Sequence, residues 1–189
     1  MGKIVAITGG IGSGKSIVSN ILRAMGYTVY DSDTNAKLLM NNSKQIKYEI
    51  ARKISSDAIV DDNIDRRVLS DIVFSDDTKL KALNAIVHHH VLADILDKSE
   101  NHDLLFVETA ILYQSKMDKI VNEVWEVTAP EELRIMRVMK RNGFNRKQVI
   151  ERIKSQSFTP EKTHPNMRYI VNDGNTAILP QVLTYLAKL

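Results

Sequence analysis

Ile4-Val5-Ala6-Ile7-Thr8 runs directly into Gly9-Gly10-Ile11-Gly12-Ser13-Gly14-Lys15-Ser16, and this stretch decides the fold. Its first five residues form a short apolar run with branched side chains, the signature of a buried strand. Beyond Ser16, the residues Ile17, Val18, Ile21, Leu22 and Met25 recur at helical spacing until Gly26 closes the helix. A complete G-x-x-x-x-G-K-S thus stands between a strand and a helix, the context that gives this motif its meaning. The glycines let the backbone curl with N–H groups turned inward, and the helix start adds partial positive charge, so the loop is suited to phosphate. Lys15 is placed to reach β- and γ-phosphates and Ser16 to ligate Mg²⁺; the nucleotide contacts expected here are Gly10, Ile11, Gly12, Ser13, Gly14, Lys15, Ser16 and Ile17. A glycine turn serving only to pack helix on strand would need neither Lys15 nor Ser16.

Outward from the loop, short apolar runs alternate with helix-period segments, which predicts an α/β class with parallel strands and helical crossovers. Further strands are expected at Tyr27–Tyr30, Leu104–Val107, Val124–Thr128 and Tyr169–Val171, giving a five-stranded parallel sheet flanked by helices, a P-loop NTPase core. Residues 31–103 separate the second and third strands, far more than the crossover of about a dozen residues that parallel strands need. A helical insertion over about 34–100 follows, with Val68, Leu69, Ile72 and Val73 forming one apolar stripe behind Asp65 as N-cap, and Leu80, Leu83, Ile86 and Val87 another. A second, basic insertion over about 141–165 reads as a lid: Asn142-Gly143 ends one helix and Asn145 with Gln148 starts the next. No repeat or linker divides residues 1–189, so one domain with two insertions is expected, closing on a helix over Ile178–Leu189.

Composition narrows the function. Hydrophobic residues are 43% and charged residues 26%, the balance of a globular chain and not a disordered one. A net charge of +3 is too small to suggest a nucleic-acid partner and fits a small anionic ligand. There is no cysteine, which excludes disulfides, thiolate nucleophiles and cysteine-bound zinc. Gly9 and Gly10 interrupt the first apolar run before it could be a signal peptide or a membrane span, so no membrane partner and a cytoplasmic location are expected.

Several side chains are candidates for the chemistry. Asp31 and Asp33 follow the second strand, and ligands of open α/β sheets sit outside the carboxyl ends of strands. Either carboxylate could take the proton of an attacking hydroxyl, and either could instead N-cap the helix that starts near Thr34. Glu108 ends the third strand in the manner of a Walker B acid and could hold a Mg²⁺-bound water, or could simply solubilise the strand end. Arg134, Arg137, Lys140 and Arg141 cluster after Pro130, with Arg146, Lys147, Arg152 and Lys154 beyond, either a solvated face or a phosphate-sensing lid. His88, His89 and His90 point about a hundred degrees apart on a helix and cannot converge on one metal ion, leaving His88 as a candidate substrate contact.

Together these blocks resemble the dephospho-CoA kinase family almost end to end. Thr8–Ser16 resembles its opening, Val29-Tyr30-Asp31-Ser32-Asp33 its valine-aspartate-x-aspartate element, and Asp65-Arg66 with Leu69 and Ile72-Val73-Phe74 its next block. Ile86-Val87-His88, then Arg137 and Arg141, Arg152 and Gln156, and Asn172-Asp173-Gly174 continue the resemblance in order. It implies transfer of the γ-phosphoryl group of ATP, with Mg²⁺, to the 3′-hydroxyl of dephospho-CoA. Asp33 would be the catalytic carboxylate beside that hydroxyl, Lys15 and Arg141 would act on the ATP phosphates, and Arg66, His88 and Glu108 would face the acceptor. Arg137, Asn172 and Gly174 would complete the ATP site. The chain departs from the family pattern at His89, where proline is usual, and over Glu108-Thr109-Ala110-Ile111-Leu112-Tyr113-Gln114, which replaces an aspartate-x-proline-leucine-leucine-phenylalanine-glutamate run. A kinase for another small hydroxyl acceptor, such as a nucleoside, nucleotide or shikimate-like metabolite, and a regulatory ATPase are the alternatives left open by fold alone.

Overall fold

The computed structural model describes residues 2–156 and 163–189, which form two compact units: residues 2–30 with 98–189, and residues 31–97. Part of the expected lid, residues 157–162, lies outside the described residues.

The first unit is built on a five-stranded sheet of β1 (Lys3–Thr8), β2 (Val29–Asp31), β5 (Leu104–Glu108), β6 (Glu123–Thr128) and β7 (Met167–Val171), in the order β2-β5-β1-β6-β7. β1 pairs in parallel with β5 on one side and β6 on the other, with Ile7 opposite both Glu108 and Trp125. The chain leaves β1 in one direction and returns on its other flank, and such a reversal of strand order opens a crevice at the carboxyl ends of the strands. The phosphate loop therefore lies at the switch point. Val5, Ile7, Phe106, Trp125, Val127 and Ile170 bury one face of the sheet against Val18 and Leu22 of α1 (Lys15–Ala24) and Val182 of α8 (Ile178–Leu186).

β2 starts two residues later than its apolar run suggests. Gly26, at φ 90°, and Tyr27 cap α1, with the Tyr27 N–H bonding to the Leu22 carbonyl at 3.0 Å, so Tyr27 is spent on ending a helix. Near the other end, α6 (Glu131–Asn142) stops at Gly143 as expected, and Asn145 and Gln148 exchange backbone and side-chain hydrogen bonds at 3.0 Å to start α7 (Arg146–Gln156). The apolar face of α7, Val149 and Ile153, packs on Ile135 and Val138 of α6, with Ile11 of the loop against the same cluster.

The second unit contains α2 (Ser32–Asn42), α3 (Lys44–Lys53), α4 (Arg66–Phe74) and most of α5 (Asp77–Glu100) around Ile46, Ile50, Leu69, Val73 and Ile86. Asp65 caps α4 through the Arg67 and Val68 N–H groups, as its position suggests. A hairpin of β3 (Ile59–Val60) and β4 (Asn63–Ile64) was not expected within the helical insertion. Its two-residue turn places Asp61 and Asp62 at φ 48° and 59°, the left-handed geometry of a type I′ hairpin, and the Lys47 ammonium secures it by donating to the Asp62 carbonyl at 2.5 Å. No described helix is long and apolar enough to cross a membrane.

Glu49 links α3 to α5, accepting from Lys53 Nζ at 2.6 Å and meeting His90 Nε2 at 3.0 Å. The Lys53 hydrogen bond first, and the His90 contact second, pull its carboxyl from the ordinary 4.5 down to about 2. A carboxylate depressed in the folded state stabilises the fold above its unfolded value and loses that contribution as pH falls through the folded one. Urea midpoints of wild type and Glu49→Gln should therefore differ above pH 4.5 and converge as pH falls toward 2. A gap that stays constant over this window would remove Glu49 from acid sensitivity.

Candidate active site

The loop is held open by three side chains drawing its carbonyls outward. Arg134 Nε donates to the Ile11 carbonyl at 2.9 Å, Arg137 Nη1 to the Gly12 carbonyl at 3.5 Å, and Asn172 Nδ2 to the Ser13 carbonyl at 2.7 Å. A peptide unit is planar, with its N–H opposed to its C=O. Anchoring these carbonyls turns the Gly12 and Gly14 N–H groups away from the anchoring side chains, while the Ser13 N–H closes a turn onto the Gly10 carbonyl at 3.1 Å. Gly12 and Gly14 sit at φ 79° and 102°, and a Cβ at either would also collide, with the Arg134 backbone or the Asn172 amide.

α1 begins at Lys15 with Gly14 as its N-cap and no side-chain cap, so the positive end of the helix is left to its own N–H groups. Lys15 Nζ arches back over the loop, donating to the Gly9 carbonyl at 2.8 Å and reaching the Gly10 carbonyl at 3.5 Å. From α7, the Gln156 Oε1 accepts from the Ile11 N–H at 3.1 Å. The result is a ring of peptide dipoles and an ammonium group, the electrostatics that hold a polyphosphate.

Arg137 and Asn172, expected as nucleotide contacts, are engaged with the loop and with each other: Arg137 also donates to the Asn172 carbonyl at 3.1 Å and to its Oδ1 at 3.0 Å. Asn172 is buried and tied by its own N–H to Thr128, so the end of β7 is stitched to the loop. Arg141 lies on the same face of α6 one turn on, at the i, i+3, i+7 spacing of Arg134, Arg137 and Arg141, exposed and donating to Asn142. Gly174, at φ 92°, turns the chain after β7. Arg152 stacks its guanidinium over Phe144 at 4.4 Å.

Two carboxyls on one strand have opposite fates. Glu123 begins β6; burial would raise its pKa, but hydrogen bonds from Arg168 and the Trp125 indole outweigh this and hold it below the ordinary range. Glu126, near the carboxyl end of β6 and opposite Thr8, is pushed up by burial. It lines a cavity of about 120 Å³ with Gly9, Gly10, Tyr113, Gln114 and Gln156. Glu126 is a residue of this site that motif reading passed over, while Arg134, noted only as part of the basic cluster after Pro130, binds the loop directly. A lone acid within the apolar run Val124-Trp125-Glu126-Val127 was the available signal.

In the second unit, Asp31 accepts from the Thr34 N–H and hydroxyl, both at 3.0 Å, and is the N-cap of α2, whereas Asp33 is exposed in the first turn of that helix. The ambiguity between these two acids is thereby resolved: the cap is Asp31. Arg66 opens α4 and donates to Asn41 at 2.9 Å; His88 is half buried on α5, and burial lowers its pKa, so its ring is neutral at pH 7. In the first unit, Glu108 ends β5.

A phosphate loop at the switch point of a parallel sheet, backed by a lysine and braced by arginines, defines a P-loop phosphotransferase. The dephospho-CoA kinase family profile matches residues 3–177. A dephospho-CoA kinase of Carboxydothermus hydrogenoformans is 35% identical over 98% of this chain and 93% of its own length. Among solved structures, a Thermus thermophilus protein superposes with TM-score 0.77 at 34% identity, covering 100% of this chain and 98% of its own. The dephospho-CoA kinase of Campylobacter jejuni superposes with TM-score 0.66 at 25% identity, covering 100% and 96%. The chain belongs to the dephospho-CoA kinase family.

Proposed function

We propose that this protein transfers the γ-phosphoryl group of ATP to the 3′-hydroxyl of dephospho-CoA, giving coenzyme A and ADP. The observation that carries the reading is the braced loop of residues 9–16 within a chain that matches the family over nearly its whole length. The amides of Gly10 to Ile17 and the Lys15 ammonium bind the donor's phosphates, with Arg134, Arg137 and Asn172 fixing the loop's shape and Gly174 beside the base. Arg141, one turn beyond Arg137, supplies charge to the phosphoryl in transit.

Asp33 accepts the proton of the acceptor hydroxyl as its oxygen bonds to phosphorus and the bond to the bridging oxygen of ADP breaks. Asp33 suits this role because its neighbour Asp31 already caps the helix. Arg66 and the neutral His88 hold the acceptor. The Ser16 hydroxyl at the start of α1 and the Glu108 carboxylate at the end of β5 are hard oxygen donors suited to Mg²⁺, directly and through water. When bound, the ion offsets charge on the β- and γ-oxygens. A cytoplasmic location fits these soluble substrates.

The test is incubation with ATP, Mg²⁺ and dephospho-CoA, followed by mass detection of the 3′-phosphorylated product. ADP release is expected to rise with dephospho-CoA and not with nucleosides, nucleotides or shikimate. Stimulation by one of those acceptors instead would reassign the substrate; ADP release indifferent to every acceptor would favour a regulatory ATPase.

A further inference from the structure

Of the loop amides expected to meet phosphate, that of Ile11 is held by a side chain, donating to Gln156 Oε1 at 3.1 Å. Gln156 ends α7 on the stripe of Val149 and Ile153, since residues 149, 153 and 156 recur at the i, i+4, i+7 spacing of one helix face. That stripe packs on Ile135 and Val138 of α6, and the Ile11 side chain joins the same cluster. Ile11 is therefore gripped twice from the α6–α7 pair, by apolar packing of its side chain and by an amide at its backbone. The corner of the loop where this happens is the γ end. Lys15, whose ammonium reaches β- and γ-phosphates in loops of this kind, rests on the Gly9 and Gly10 carbonyls at 2.8 and 3.5 Å, next in sequence to Ile11. Gln156 also lines the recess of about 120 Å³ beside Gly9 and Gly10.

A glutamine suits this position for a chemical reason. The Ile11 N–H carries a single hydrogen, so a phosphate oxygen arriving there displaces the Gln156 carbonyl. The displaced amide still serves the site: its NH₂ has two donors and no charge, and a half turn about the last side-chain torsion presents them where the oxygen was. A glutamate would hold the empty loop at least as well, through a charge-assisted bond to the same N–H, but it would repel an incoming phosphate. We infer that Gln156 reads the γ-phosphate: its carbonyl satisfies the Ile11 amide in the empty loop, and its NH₂ donates to a γ-oxygen once ATP is bound, so that the protein favours ATP over ADP. This rests on the ATP reading above and adds to it a side chain that selects the triphosphate. Val149 and Ile153 hold the helix that carries this side chain, and the Ile11 side chain registers the loop against it.

The experiment measures, by calorimetry, the affinities of β,γ-imido-ATP and of ADP, each with Mg²⁺, for wild type, Gln156→Glu and Gln156→Ala. Gln156 is half-buried at a helix end, and urea midpoints check that each variant folds. Gln156→Ala loses a donor to a charged oxygen, so the preference for the triphosphate over ADP should fall about tenfold. Gln156→Glu keeps the acceptor for the Ile11 N–H and adds a like charge at the γ position, so its preference should fall further, by about a hundredfold. A residue that only braced the loop would be spared by Gln156→Glu. A preference equal to wild type in Gln156→Glu therefore assigns Gln156 to bracing alone and overturns the inference, including the case where both nucleotides weaken together. A preference equal to wild type in Gln156→Ala overturns it as well, because the amide then gives nothing to the γ-phosphate. A wild-type protein that retains neither nucleotide overturns the ATP reading itself, and the role of Gln156 with it.

Discussion

Asp33→Asn is expected to lower kcat by roughly 10²- to 10⁴-fold, the range for removing a positioned general base. ATP affinity should stay within about twofold, because the donor's phosphates are held by the loop and Lys15, and a group acting only in the transition state leaves ground-state binding unchanged. Asparagine keeps the size of the side chain and its ability to hydrogen-bond the acceptor but cannot take its proton. The neighbouring acid provides the control. Asp31 spends its carboxylate on the Thr34 N–H and hydroxyl, so Asp31→Ala should cost about 1 kcal/mol of stability through the lost helix cap. Its kcat should fall far less than that of Asp33→Asn. Pre-steady-state product formation and a urea titration for each variant separate the two roles. Turnover of Asp33→Asn equal to wild type would remove Asp33 from the chemistry; equal loss of kcat in both variants would assign the effect to the helix they share.

These two acids also show where sequence reading stops. Both follow the same strand, both precede the same helix, and a cap and a base demand the same residue type, so only the location of the Thr34 N–H distinguishes them. The loop was legible because its chemistry is local: strand, glycines, lysine and serine lie within residues 4–16, and backbone geometry does the binding. What braces the loop was not, because Arg134 and Asn172 reach it from more than a hundred residues away, a distance in sequence that no spacing rule covers. Arg137 and Asn172 were singled out for contact with nucleotide, and the structure adds their hydrogen bonds to the loop and to each other. The hairpin at Ile59–Ile64 escaped for a different reason: its turn is Asp61-Asp62, and neither residue carries the left-handed signal that an asparagine-glycine pair would give. Glu126 is the same lesson in a strand, a single acid whose unusual setting becomes evident only when burial is known.

Lys15→Ala should have the other large effect, and on a different quantity. The Lys15 ammonium is the charged donor of the loop, already poised over the Gly9 and Gly10 carbonyls at 2.8 and 3.5 Å. Hydrogen bonds between charged partners are worth about 1.5–3 kcal/mol, so ATP should bind roughly ten- to a hundredfold more weakly. Because the same ammonium offsets charge as the γ-phosphoryl departs, kcat should fall by a further 10²- to 10³-fold, about the effect of deleting one preorganised donor. The fold should survive, since an ammonium–carbonyl hydrogen bond is worth about 1.5–3 kcal/mol, less than the roughly 5–15 kcal/mol by which a domain is stable. Lys15→Arg should not restore activity: the guanidinium is a broad planar fork, and the space between two glycine carbonyls is matched to a compact ammonium. Titration of a fluorescent ATP analogue with Mg²⁺ measures the binding loss, and acceptor-dependent ADP release the catalytic one. ATP retained at wild-type affinity in a folded Lys15→Ala protein would mean that the peptide dipoles alone hold the nucleotide, and the lysine's role would then reduce to the transfer step.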